Sequence, residues 1–158
     1  MRSGRLGLFV SFMLVTVLGC ATPFSPNEAL ECGVATQGGG AALGGGSFDY
    51  IACDADGRLL LVGQLVLQTA SGGAVTGTWV IDWAPGADRN VNVGPQIGSG
   101  ELQGFLNAGQ LMVDLNPGWA DNNVYLAAEW RLEGGRGMWS WSTLIGPQGG
   151  GSFVARLR

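Results

Sequence analysis

From residue 47 to the C-terminus, apolar and polar residues alternate with a period of two in short segments, and this alternation constrains the fold more than any other feature of the chain. An apolar residue at every second position gives a strand one buried and one polar face, as in antiparallel sheets. No segment keeps the spacing of an amphipathic helix. The domain is therefore predicted to be all-β. The predicted strands are residues 47–53, 58–70, 74–83, 97–106, 110–115, 123–133, 138–145 and 152–158.

Turn-forming residues separate these segments, and glycines supply the positive φ that tight hairpin turns require. Eight strands paired in chain order close most economically into an up-and-down antiparallel β-barrel, because closure removes exposed sheet edges. We therefore expect a single eight-stranded meander barrel. The predicted turns are residues 54–57, 71–73, 84–86, 108–109, 116–118, 134–137 and 147–151.

The alternation also predicts which side chains face the core and which face outward. The predicted core face carries Leu59, Leu61, Leu65, Leu67, Trp79, Ile81, Trp83, Leu111, Val113, Leu115, Val124, Leu126, Trp130, Leu132, Trp139, Trp141, Phe153, Ala155 and Leu157. The opposite face carries Gln64, Gln68, Asp82, Asp114, Tyr125, Glu129, Arg131, Glu133, Arg156 and Arg158.

The first twenty residues differ from the rest of the chain. Arg2 and Arg5 precede an apolar run over residues 6–18, which is the pattern of a secretory signal. The run is shorter than the roughly 20 apolar residues that a spanning helix needs. We expect residues 1–19 to be a signal peptide that is removed. Residues 20–46, which are rich in proline and glycine, are predicted to be a flexible tether, and residues 47–158 the barrel.

The segment Val17-Leu18-Gly19-Cys20 resembles the lipobox of bacterial lipoprotein precursors. The resemblance implies that the Cys20 thiol receives a diacylglycerol, that the Gly19–Cys20 bond is cleaved, and that the new amino group is acylated, typically with palmitate. Several acyl chains on one residue give stable membrane attachment. Residue 21 is alanine, whereas an aspartate at this position would resemble the inner-membrane retention signal. In a Gram-negative source, the expected location is the outer membrane, facing the periplasm.

Once Cys20 is lipidated, Cys32 and Cys53 remain as an even pair in an exported protein, which favours a disulfide. The bridge would close a loop of about 20 residues and stabilise the domain by about 3 kcal/mol in the chain-entropy model. A metal site is the alternative interpretation, but the chain has no histidine, and two thiols alone are a poor zinc ligand set. We expect no metal and no cofactor.

The ionisable residues exclude several functions. Without residues 1–19, six arginines face twelve carboxylates, so there is no basic patch for nucleic acid. Without histidine or lysine, Ser-His-Asp and Cys-His arrangements are impossible. A carboxylate pair is conceivable, and residues 114–123 contain oxygen ligands for calcium, but solvation and Asx turns explain them more simply. We therefore expect no enzymatic activity. The carboxylates considered are Asp82, Asp88, Glu101, Asp114 and Asp121.

Gly77-Thr78-Trp79, Gly137-Met138-Trp139 and Gly151-Ser152-Phe153, within the eight-strand meander, resemble the small exported barrels of the lipocalin and avidin type. The resemblance covers residues 47–158 and assigns no biotin-binding residue. A barrel embedded in the outer membrane is the alternative. The lipobox argues against it, as does the end of the chain at Arg156-Leu157-Arg158 instead of a terminal aromatic residue.

Two functional classes follow from this architecture. In the first, the core is full and the protein has a structural or accessory role in the envelope. In the second, the protein is a binding module whose lumen or mouth holds a small hydrophobic ligand, or whose surface binds an envelope protein. Gly63, Gly77 and Gly104 are predicted to face inward, where their missing side chains would leave space for a ligand in the lumen. We favour the filled core. The candidate ligand-binding residues are Trp79, Trp83, Trp119, Trp130, Trp139 and Trp141.

Overall fold

The computed structural model describes Cys32 and residues 45–158, which form a closed barrel of eight antiparallel strands. Each strand pairs with its neighbour along the chain, and β8 pairs with β1 to close the sheet, so the predicted fold class is confirmed. The described residues include no helix that is long and apolar enough to span a membrane. The strands are β1 Gly46–Cys53, β2 Leu59–Thr69, β3 Ala74–Trp83, β4 Gly98–Asn107, β5 Gln110–Asp114, β6 Asn122–Arg131, β7 Gly134–Thr143 and β8 Gly146–Leu157.

The two ends of the barrel differ in their connections. At one end, here called the turn end, residues 70–73, 108–109 and 132–133 join the strands. At the other, here called the loop end, residues 54–58, 84–97, 115–121 and 144–145 join them. The long connections therefore gather at the loop end. The predicted signal peptide, the lipidation site Cys20 and most of the predicted tether lie outside the described residues.

The apolar faces predicted from the alternation lie inside the barrel, where they form one continuous core. Three residues of the predicted core face are instead exposed: Leu59, Leu132 and Leu157. A register shift in the β1–β2 pairing buries Leu60 and turns Leu59 outward. Leu132 lies in the β6–β7 turn and Leu157 ends β8, so neither has a complete set of neighbours.

The predicted turns at residues 134–137 and 147–151 are wrong, because both segments are strand. Gly134, Gly137 and Gly151 lie where a β-carbon would overlap a carbonyl oxygen of a neighbouring strand. These glycines permit close strand approach, which is the other common reason for glycine in a strand. The actual β6–β7 turn is residues 132–133, and the β7–β8 turn is Leu144-Ile145.

Two features fix the seam between β1 and β8 and the chain before it. Cys32 and Cys53 form a disulfide with their Cα atoms 6.2 Å apart, as the cysteine count predicted. Because Cys53 is the last residue of β1, the bridge ties the preceding chain to the loop end. Beside the seam, the Arg158 guanidinium lies 3.0 Å from the Asp49 carboxylate, and the Arg158 amide donates to the Ser47 carbonyl.

Candidate functional site

The lumen of the barrel is occupied by the protein's own large side chains. Trp79, Trp130 and Trp139 are all buried, the last only 1% exposed. Trp130 packs edge-on against Phe48, with ring centroids 4.9 Å apart, at a separation typical of favourable aromatic pairs. Three of the six candidate ligand-binding tryptophans are therefore core residues in this structure.

Two of the three buried indole N–H groups already have partners within the protein. Trp79 Nε1 donates to the Leu115 carbonyl at 2.6 Å, and Trp139 Nε1 donates to the Cys53 carbonyl at 2.9 Å. Buried tryptophans normally satisfy their N–H in this way. These donors would have to break an internal hydrogen bond before they could bind a ligand.

The inward glycines do not leave the space that the sequence suggested. At Gly63, Gly77 and Gly104, a β-carbon would overlap a backbone carbonyl oxygen of an adjacent strand. The volume of the missing side chain is thus taken by backbone, and the strands approach closely there. A close-packed interior of this kind is typical of proteins and leaves little room for a ligand.

Residues 84–97 close the loop end over the core. Val93 and Gln96 are buried, although they belong to a connection and not to a strand. Gln96 Nε2 donates to the Val93 carbonyl at 2.7 Å, and the Tyr50 hydroxyl donates to Gln96 Oε1 at 3.4 Å. Burial raises the pKa of the Tyr50 hydroxyl far above its ordinary value. This connection therefore acts as a plug, which the sequence analysis did not predict.

The other three candidate tryptophans lie at the loop end. Trp83 and Trp141 are partly buried against the core, and Trp141 Nε1 donates to Asn122 Oδ1 at 2.5 Å. A β-carbon at Gly94 would meet the Trp141 ring at 2.5 Å, which shows that the plug lies on that ring. Trp119, in contrast, is 55% exposed in the β5–β6 connection. The structure thus separates the six tryptophans into a buried set, a supporting pair and one exposed residue.

The candidate carboxylates are dispersed over the surface. Asp82, Asp88, Glu101 and Asp121 are exposed, and Asp114 is partly buried. Asp114 Oδ1 accepts a hydrogen bond from the backbone N–H of Asn116 at 2.8 Å, and Asp114 Oδ2 accepts one from Asn123 Nδ2 at 2.7 Å. The first of these bonds is the Asx turn expected for this loop. Over the described part of the chain, no group of three or more potential metal ligands is found.

A shallow cavity of about 520 Å³ lies on the outer wall of the barrel; we call it the external groove. Its apolar floor is a row of outward-facing side chains paired across four strands: Phe105 with Met112, Met112 with Ala127, and Ala127 with Met138. Cys32 also lines it. The alternation places each of these residues outward, but only the strand register brings them together. The groove is therefore not evident from the sequence.

Glu129 and Arg136, which are paired across β6 and β7, also line the external groove. Their opposite charges add polar groups to the apolar wall.

The resemblance to lipocalin-type and avidin-type barrels rests on strand number and pattern. No protein-family model, no curated protein and no solved structure matches this chain.

Proposed function

We propose that this protein is a lipid-anchored envelope protein whose barrel has a structural or accessory role and performs no catalysis. The observation that carries the proposal is the filled lumen, in which Trp79, Trp130 and Trp139 take the space that a ligand would need. A barrel filled by its own side chains has no free lumen, so it would interact with other molecules through its outer surface.

The anchor is supported by the lipobox segment and by the disulfide. The Cys32–Cys53 bridge suits an oxidising compartment outside the cytoplasm, because thiols are kept reduced in the cytosol. Cys20 lies only twelve residues before Cys32. An acyl chain on Cys20 would therefore hold the barrel close to the membrane surface. The outer membrane, on its periplasmic side, is the location that we propose.

Substitution of Cys20 by serine tests this proposal. The serine hydroxyl cannot replace the thiol nucleophile, so Cys20→Ser should abolish incorporation of radioactive palmitate and leave an uncleaved or soluble species. The matched control is Cys32→Ser, which should remain fully labelled because its thiol belongs to the disulfide. Unchanged labelling of the Cys20→Ser variant would refute the lipoprotein assignment.

Binding of a small hydrophobic ligand is the second candidate function, and the external groove is the observation that favours it. Its volume of about 520 Å³ is within the range of roughly 300–1,000 Å³ common for ligand pockets. Its apolar row with a few polar groups also resembles such pockets in composition. The groove would accept a ligand from outside the barrel without disturbing the core, whereas a ligand in the lumen would have to displace Trp79 or Trp139.

A further inference from the structure

Two large aliphatic residues that are strongly exposed form one turn of the loop end. Leu144 is 80% exposed and Ile145 is 87% exposed, and together they form the turn between β7 and β8. Gly146 follows with φ +105°, so the glycine and not these residues provides the unusual backbone conformation. Turn positions normally favour polar residues or glycine. Nothing in the geometry of the turn requires two aliphatic side chains here.

Trp119 belongs to the neighbouring connection at the same end. Asn122, which begins β6, pairs with Thr143, which ends β7, so residues 115–121 lie beside the β7–β8 turn. Trp119 is 55% exposed. The loop end therefore carries an exposed tryptophan in the connection that adjoins the turn of two exposed aliphatic residues. Tryptophan is favoured where one part of a side chain meets an apolar phase and another meets water.

The turn end has a different composition. Its connections contain Ser71 and Gly72 between β2 and β3, Ala108 and Gly109 between β4 and β5, and a single exposed leucine, Leu132, beside Glu133. Leu157 at the end of β8 is also exposed there, but Leu132 and Leu157 keep only 54% and 43% of their surface in water, against 80% and 87% for Leu144 and Ile145. The two ends are therefore unequal, and the loop end carries the more exposed large aliphatic side chains.

The anchored part of the chain joins the barrel at this same end. The disulfide attaches Cys32 to Cys53, the loop-end residue of β1. Cys32 lies twelve positions after Cys20, and this stretch of chain spans at most roughly 40 Å when fully extended. The turn end is farther away by the length of a strand, which for ten residues is about 33 Å. The turn end could therefore reach the bilayer only with the tether almost fully extended, whereas the loop end could reach it with the tether relaxed, which is the conformation that chain entropy favours.

We infer that the loop end inserts Leu144, Ile145 and Trp119 into the surface of a lipid bilayer. This inference rests on the proposed lipid anchor for its orientation, but the side chains that insert are part of the barrel itself. The charge around them favours zwitterionic lipids, because carboxylates outnumber guanidinium groups and would be repelled by an anionic surface. The loop-end connections carry Asp54, Asp56, Asp88 and Asp121 against Arg58 and Arg89.

The test uses the processed full-length chain mixed with phosphatidylcholine vesicles that contain a bromine-labelled phosphatidylcholine. The difference in tryptophan fluorescence between the wild type and Trp119→Phe isolates the signal of Trp119. We expect that signal to shift to the blue and to be quenched by the brominated lipid. Replacing part of the phosphatidylcholine by anionic phosphatidylglycerol should weaken the quenching.

The double variant Leu144→Ser with Ile145→Asn, here called the apex variant, replaces the two exposed aliphatic residues of the β7–β8 turn by residues that turns favour. It should fold normally and lose the quenching of Trp119. The matched control is Met138→Ser, which removes an exposed apolar side chain from the external groove and should leave the quenching unchanged. Quenching that is lost in Met138→Ser and kept in the apex variant would mean that the barrel lies on its side, which overturns the inference.

Palmitate labelling of the same preparation separates this inference from the anchor proposal. Labelled protein that associates with vesicles while Trp119 remains unquenched would overturn insertion and leave the anchor intact. Unlabelled protein in which Trp119 is quenched at high lipid concentration would refute the anchor and support insertion. Absence of quenching in unlabelled protein would overturn both.

Discussion

Gly151 tests one of the close strand approaches in the barrel. It faces the lumen from β8 and pairs with Trp139 on β7. The Trp139 indole passes this position to donate to the Cys53 carbonyl on β1, at 2.9 Å. In Gly151→Ala, the added carbon would lie 2.9 Å from Trp139 Nε1 and would overlap the Cys53 oxygen. Since carbon contacts normally lie near 3.5–4.0 Å, the methyl group must displace the donor, the acceptor or both.

The expected cost follows from these two effects. Leaving a buried N–H and carbonyl unpaired costs about 1–3 kcal/mol, and forcing an extra carbon into a packed core costs about 1–3 kcal/mol. Restricting the unfolded chain returns about 0.4–1 kcal/mol. Gly151→Ala should therefore lower the free energy of unfolding by about 1–6 kcal/mol, with a middle value near 3 kcal/mol. That is a large part of the 5–15 kcal/mol typical of a folded domain.

Urea unfolding monitored by circular dichroism measures this loss. Gly118→Ala is the matched control, because a β-carbon there meets no atom within 4 Å, and it should stay within about 0.5 kcal/mol of the wild type. Trp139→Phe removes the same N–H donor, so its cost and that of Gly151→Ala should be less than additive. A loss below about 1 kcal/mol in Gly151→Ala would refute the close approach and would restore residues 147–151 as a turn.

Two further predictions concern the core. Trp79→Ala should lower the free energy of unfolding in urea by about 3–5 kcal/mol, whereas Trp119→Ala, at an exposed position, should lower it little. A hydrophobic probe that quenches wild-type fluorescence saturably would instead indicate a ligand in the lumen, if Trp79→Ala is only mildly destabilised and loses this quenching. Because burial raises the pKa of Tyr50, only the unfolded chain ionises it near pH 10, so stability should fall as the pH rises above about 10. The wild type should lose about 1.4 kcal/mol per pH unit more than Tyr50→Phe above that point, and equal pH dependence in the two proteins would contradict the buried hydroxyl.

The strand order and the inward faces could be predicted from the sequence because a barrel strand has a strict period of two. Leu61, Trp79 and Leu126 are buried as their positions in the alternation require. Glycine was harder to interpret, since it serves both tight turns and close strand approach. Gly134, Gly137 and Gly151 belong to the second class, and only the packing of neighbouring strands distinguishes the two.

The candidate site could be predicted less well, because it depends on contacts between distant segments. The floor of the external groove joins Phe105 and Met138 through the register of four strands, which no local pattern records. The plug depends on Gln96 finding partners in Val93 and Tyr50, inside a segment whose composition is typical of a surface loop. Trp119 was correctly placed in a loop, but its sequence neighbours do not indicate that it lies beside the β7–β8 turn.

The filled core also limits where a function can be located. Side chains in the lumen are held by packing, so a change there alters stability before it alters binding. Outward residues are under no such constraint, and folding gains almost nothing from Leu144 and Ile145, which keep most of their surface in water. Serine or asparagine would serve the turn at least as well. A bilayer would remove this apolar surface from water, and each methylene group buried there contributes about 0.8 kcal/mol. The physical advantage of an aliphatic turn therefore lies in an apolar surface outside the barrel.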